Sequence, residues 1–189
     1  KAGEITTQVS GTNQKLVAGV KEKEVYTQIP VLKNINSVRK IAKNLSLVRL
    51  QGIVYLITKK PRDLTPKELK RLGKNLLKEN GLLYSEPAAG VIFVTEAQPL
   101  LYIEPVVWVR DIQTLFYETA CASGTAAVGL WKAKQSPIPL IELTVRQPSG
   151  QFINVSIKKT STEFKQAFIW GPVELIENKT IRLNGGMYD

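Results

Sequence analysis

The sequence predicts an α+β fold: a mixed, mostly antiparallel sheet curled around a central buried helix, with a second helix outside. Three observations predict it. Short alternating or β-branched runs recur at both ends of the chain, punctuated by Gly, Pro, Ser and Asn. Residues 122–134 are almost wholly apolar at helical spacing, and a helix apolar all round belongs inside a core. Residues 66–79 instead keep Leu69, Leu72, Leu76 and Leu77 on one face, with Lys67, Lys70, Arg71, Lys74 and Lys78 on the others. That is the pattern of an amphipathic cover helix.

In chain order, residues 4–9 and 15–20 read as a β-hairpin across Ser10-Gly11-Thr12-Asn13, and residues 24–29 as a third strand stopped by Pro30. Residues 34–44 are basic and mixed, a loop or short strand. Residues 45–57 are too β-branched for a helix of that length and read as one central strand with Arg49 or Gln51 projecting from it. Thr65, Pro66 and Glu68 form an N-cap, a proline at the first helical position and a capping box, and Asn80-Gly81 ends that helix. Strands follow at 90–95 and at 100–109, the latter interrupted by Pro105. Beyond the core helix and the break at Gln135-Ser136-Pro137, four strands are expected at 140–145, 151–157, 165–170 and 180–183. The turns Pro148-Ser149-Gly150 and Gly171-Pro172 divide them.

Composition narrows the chemistry. The 189 residues are 43% hydrophobic, enough for one domain with a real core, and no apolar run is long enough to span a bilayer. No signal-peptide pattern opens the chain, so a cytoplasmic protein without a membrane partner is expected. One cysteine and no histidine leave no internal disulfide, no zinc ligand set and no Ser-His-Asp or Cys-His catalysis. A general base must then be a carboxylate, Lys, Tyr or Cys121. The net charge of +10 raises nucleic acid as a partner, but the cations are spread along the chain and read as a solvated surface. The only methionine is Met187, so a stretch upstream of Lys1 is expected.

The functional signal is Glu118-Thr119-Ala120-Cys121-Ala122-Ser123-Gly124-Thr125-Ala126-Ala127. Cys121 stands where the core helix begins, and free N–H groups with the helix dipole favour an anion there. The alternative is a small, buried, inert thiol. This motif resembles the second cysteine motif of the diaminopimelate epimerase-like family of amino-acid racemases and epimerases. Gly150-Gln151-Phe152-Ile153-Asn154-Val155 and Gly171-Pro172-Val173-Glu174-Leu175-Ile176-Glu177-Asn178 resemble two later motifs of that family in the same order.

The resemblance implies a single domain over 1–189, equivalent to the C-terminal half of a two-half enzyme that uses no cofactor and no metal. The other cysteine is expected in a missing N-terminal half, on the same polypeptide or on a separate chain, and a homodimer is compatible with this. Family members invert Cα with a thiolate on one face and a thiol on the other. Cys121 takes one of those roles and Glu118 orients it. The N–H groups of Ala122 and Ser123, close backbone at Gly124 and the hydroxyl of Thr125 hold the substrate carboxylate. Helix position lowers the thiol pKa and apolar burial raises it, and the free N–H groups are expected to decide for lowering. Arg49-Leu50-Gln51-Gly52 stands where the family carries Gly-Asn-Pro-His, which makes Arg49 and Gln51 substrate-binding candidates. It also points to an amino acid other than diaminopimelate, histidine being one substrate of related racemases. Two further readings stay open: a relative that binds an amino acid without racemising it, and a basic nucleic-acid-binding domain.

Overall fold

A computed structural model describes residues 3–8, 14–97 and 100–174. The strands are β1 (Glu4–Thr7), β2 (Leu16–Lys21), β3 (Glu24–Gln28), β4 (Val38–Ala42), β5 (Leu45–Arg49), β6 (Val54–Lys59), β7 (Ala88–Ala97), β8 (Leu100–Val109), β9 (Thr114–Tyr117), β10 (Leu140–Arg146), β11 (Phe152–Lys159) and β12 (Phe164–Pro172). They form one open sheet in the order β1-β2-β3-β12-β11-β10-β8-β7-β6-β5-β4, with β9 paired to β8. The sheet is mixed and mostly antiparallel: only the β6–β7 and β8–β10 pairs are parallel. The α-helices are α1 (Pro66–Glu79), α2 (Leu82–Ser85) and α3 (Ala122–Gln135).

Two apolar clusters lie on opposite faces of the middle strands, and side-chain alternation decides which residue joins which. Val54 and Leu56 of β6, with Val91 and Phe93 of β7, meet Leu69 and Leu77 of α1. Tyr55, Ile57, Ile92 and Val94 face the other way and pack with Ala126, Ala127, Val128 and Leu130 of α3. Burial on both faces explains the unbroken apolar run in β6. Helix α3 touches β10, β11 and β12 as well as β4, β5 and β6, strands from separate stretches of the sheet order. Gly129 permits the approach to β11, because a Cβ there would lie 2.8 Å from Val155 Cγ2.

Several boundaries follow from the sequence signals. Helix α1 spans the expected residues, with the Thr65–Glu68 capping box formed and Gly81 in the left-handed region at φ +72°. Helix α3 begins one residue after Cys121.

Other expectations are corrected. Residues 45–57 are two antiparallel strands, because Gly52 adopts φ +86° and reverses the chain between Arg49 and Val54. Pro105 does not interrupt β8: it lies opposite Ile92 and the pairing to β7 continues on both sides. Gly171 and Pro172 are not a turn but the last residues of β12, paired with Val25 and Glu24. The mixed stretch at 34–44 does hold a short strand, as expected: β4 follows a 3-10 turn (Ile35–Ser37). The hairpin's turn at 9–13 and the strand expected at 180–183 lie outside the described residues, as does the end of the motif at 171–178.

Candidate active site

Cys121 is the N-cap of α3, in extended conformation at φ −137°, and its sulfur accepts the Gly124 N–H at 3.2 Å. The first helical turn cannot pair its own N–H groups, so those of Ala122 and Ser123 are left without a helical acceptor. Gly124 is required by space: a Cβ there would stand 2.8 Å from the sulfur.

Two side chains that the sequence reading did not single out complete the cluster. Tyr55 of β6, wholly buried, places its hydroxyl 3.5 Å from the sulfur and 2.7 Å from Ser123 Oγ. Gln147, in the turn after β10, accepts the Cys121 N–H at 3.0 Å and donates to Thr125 Oγ1 at 3.0 Å and to the Val145 carbonyl at 3.1 Å. Ser149 N–H donates to the Thr119 carbonyl at 2.9 Å, tying the same turn to the segment before the cysteine. Tyr55 was hidden in an apolar strand run. Gln147 was hidden by its distance from the motif, and its place before Pro148 was the only local cue.

The predicted residues do not all converge. Thr125 is wholly buried and donates its hydroxyl to the Cys121 carbonyl at 2.7 Å, so it braces the helix start rather than facing a ligand. Arg49 pairs with Glu86 at 2.9 Å. Gln51 sits in the bend beyond β5, half-buried, and among the described residues no hydrogen bond joins it to the cysteine cluster. Ala122 is exposed, and Ser123 half-buried, at the mouth of the cluster.

The electrostatics reverse one expectation. The thiol pKa is not lowered by the helix but pushed up to about 12 from an ordinary 9.0. Burial is the main cause, and the neighbouring Glu118 carboxylate adds to it by charge and by hydrogen bond. The Tyr55 hydroxyl and the Gly124 N–H oppose this without winning. Burial likewise holds the Tyr55 phenol well above 10.0, with the charge on Cys121 the next cause. Cys121 therefore rests as a neutral thiol, 3% exposed. At the far end of α3, a cavity of about 740 Å³ is lined by Trp131 and by basic residues including Arg39, Lys40 and Lys43. Among the described residues no group of three His, Cys, Asp or Glu could hold a metal ion.

The overall fold has a solved counterpart. A hydroxyproline epimerase from Agrobacterium vitis superposes with a TM-score of 0.62 at 13% identity, over 90% of this chain and 56% of that one, which shows a shared fold. Residues 1–181 match the family model described as the histidine racemase CntK N-terminal domain, and the chain belongs to that family. The diaminopimelate epimerase-like resemblance of the cysteine motif thus holds at the level of the family. A histidine racemase from Staphylococcus aureus (strain Mu50 / ATCC 700699) is 24% identical over 82% of this chain and 58% of its own length. One from Fusobacterium nucleatum subsp. nucleatum (strain ATCC 23726 / VPI 4351) is 25% identical over 92% of this chain and 59% of its own. The chain spans a little under three fifths of these relatives. The family model is named for an N-terminal domain, whereas the cysteine motif resembles the second of the epimerase family.

Proposed function

We propose that this chain is one half of an amino-acid racemase or epimerase that works without a cofactor, moving a proton at Cα between two bases of which Cys121 is one. The observation that carries this reading is the single cysteine capping α3, its sulfur on the Gly124 N–H, at a helix start whose Ala122 and Ser123 N–H groups have no helical acceptor. Those groups suit a substrate carboxylate and the charge that develops as Cα loses its proton. With its pKa raised, the thiol is protonated near neutral pH and so stands as the proton donor of the pair, becoming a strong base when it ionises. Burial does most to set that basicity, and the Glu118 carboxylate adds to it. The second base belongs to the other half of the protein, on the same polypeptide or a partner chain. Histidine is the first substrate to test, because the named relatives are histidine racemases.

A chiral assay of the intact protein against a panel of L-amino acids tests this, with Cys121→Ser as the control. Appearance of the D-enantiomer, lost in the variant, supports the reading. The neutral resting thiol favours a second reading, an amino-acid-binding relative without turnover. Tight binding of one amino acid with no inversion of any would select it.

A further inference from the structure

We infer that Tyr55 and Ser123 form a two-hydroxyl relay that carries the Cys121 proton between the buried sulfur and the surface. The relay rests on the acid/base reading of Cys121. Its geometry is a short chain: sulfur to phenol oxygen 3.5 Å, phenol oxygen to Ser123 Oγ 2.7 Å, with the direct sulfur to Ser123 distance longer at 3.8 Å. Tyr55 is wholly buried and Ser123 half-buried, so the chain runs outward. The sheet has made room for the phenol, since β7 carries Gly90 opposite Tyr55 and a Cβ there would lie 2.5 Å from its ring.

Each hydroxyl holds one proton, and this fixes two polarities. With a thiol, S–H donates to the Tyr55 oxygen, Tyr55 O–H donates to Ser123, and Ser123 O–H points outward. Ionisation moves one proton along each link: sulfur to tyrosine, tyrosine to serine, serine to solvent. Tyrosine and serine end neutral, with Tyr55 O–H now donating to the thiolate and Ser123 O–H donating to Tyr55. Proton release thus leaves the sulfur charge with two donors, Tyr55 and the Gly124 N–H. Reprotonation runs the chain backwards. The groups that face the sulfur are Tyr55 from β6, Glu118 from the preceding segment, and Ser123 and the Gly124 N–H from α3. Gln147 is bound to the Cys121 backbone instead. Of these Glu118 is the one carboxylate and Tyr55 the one phenol.

The single cysteine allows a direct test, because the chain has one S–H stretch in its infrared spectrum. Tyr55→Phe keeps the ring and removes the hydroxyl, so the band should move to higher wavenumber as the S–H loses its acceptor. Ser123→Ala, at the half-buried site, should move it less in the same direction, and carries the test if Tyr55→Phe does not fold. In the intact protein Tyr55→Phe should slow Cα exchange by about 10²-fold near neutral pH. A band that stays put in both variants, or moves only with Glu118→Gln, overturns the relay. So does Cα exchange that is equal in the wild type and in Tyr55→Phe, which leaves the acid/base reading standing. A band that moves while the wild type exchanges no Cα hydrogen sinks that reading and leaves the hydroxyl chain intact.

Discussion

Cys121 is held from both sides of its peptide, and Gln147 is the reason its sulfur has a fixed address. One amide side chain takes the Cys121 N–H, binds the Thr125 hydroxyl and reaches the Val145 carbonyl, all at 3% exposure. Truncation leaves buried donors and acceptors without partners, at a cost of about 1–3 kcal/mol each. Gln147→Ala should therefore lower the urea midpoint clearly while leaving the far-UV circular dichroism intact. The thiol makes a second prediction at this scale. With a folded pKa of about 12 against 9.0 for a free thiol, the folded state holds its proton where the unfolded chain has lost it. The contribution to stability is complete below pH 9 and declines as pH rises toward 12, by about 1.4 kcal/mol per unit at most. Urea titrations at pH 8 and pH 10 should show a larger loss in the wild type than in Cys121→Ala.

Among the elements, α1 and α3 were the most legible, for different reasons. The start of α1 is written in Thr65, Pro66 and Glu68, a local code that needs no tertiary information. Thr65→Ala removes the cap that accepts the Glu68 N–H, and should cost about 1 kcal/mol, seen as a lower melting temperature without loss of helix elsewhere. The start of α3 was legible from the small residues after Cys121 and the apolar run behind them. The β5–β6 boundary was not, because both strands are apolar and the reversal depends on Gly52 alone adopting a positive φ. Strand β9 and α2 are four residues each, too short for their apolar residues to show a period. Site residues divide the same way: Cys121, Ser123 and Gly124 stand in one contiguous motif, whereas Tyr55 and Gln147 reach it only through β6 and the turn after β10. No local pattern encodes a contact 66 residues apart. The misjudged thiol pKa has a different origin: helix position and burial were both visible in the sequence, but their relative weight was not, and burial wins.

At the scale of the whole molecule, the +10 charge raises nucleic acid as a partner, and the proposed reading treats it as a solvated surface. The cations of α1 lie on its outer side, where Lys67, Arg71, Lys74 and Lys78 are exposed and Lys74 also sits 5.8 Å over the Trp108 ring. DNA or RNA binding should be weak and fall steeply between low and physiological salt. Sequence-specific binding that survives 150 mM salt (roughly the cellular ionic strength) and is lost on reversing Lys70, Arg71 and Lys74 would promote the nucleic-acid reading. The proposed two-base inversion needs a base on each face of a planar carbon, and with one cysteine in these residues the second base of that proposal is assigned outside them.

The most direct test is hydrogen exchange at Cα in heavy water, followed by proton NMR of L-histidine and a panel of other amino acids. The account predicts that the intact protein replaces the Cα hydrogen of one amino acid with deuterium in both enantiomers, that Cys121→Ser abolishes inversion, and that the 189-residue chain alone gives at most exchange with retention. No exchange by the intact protein on any amino acid, or full racemisation by the isolated chain, would contradict it.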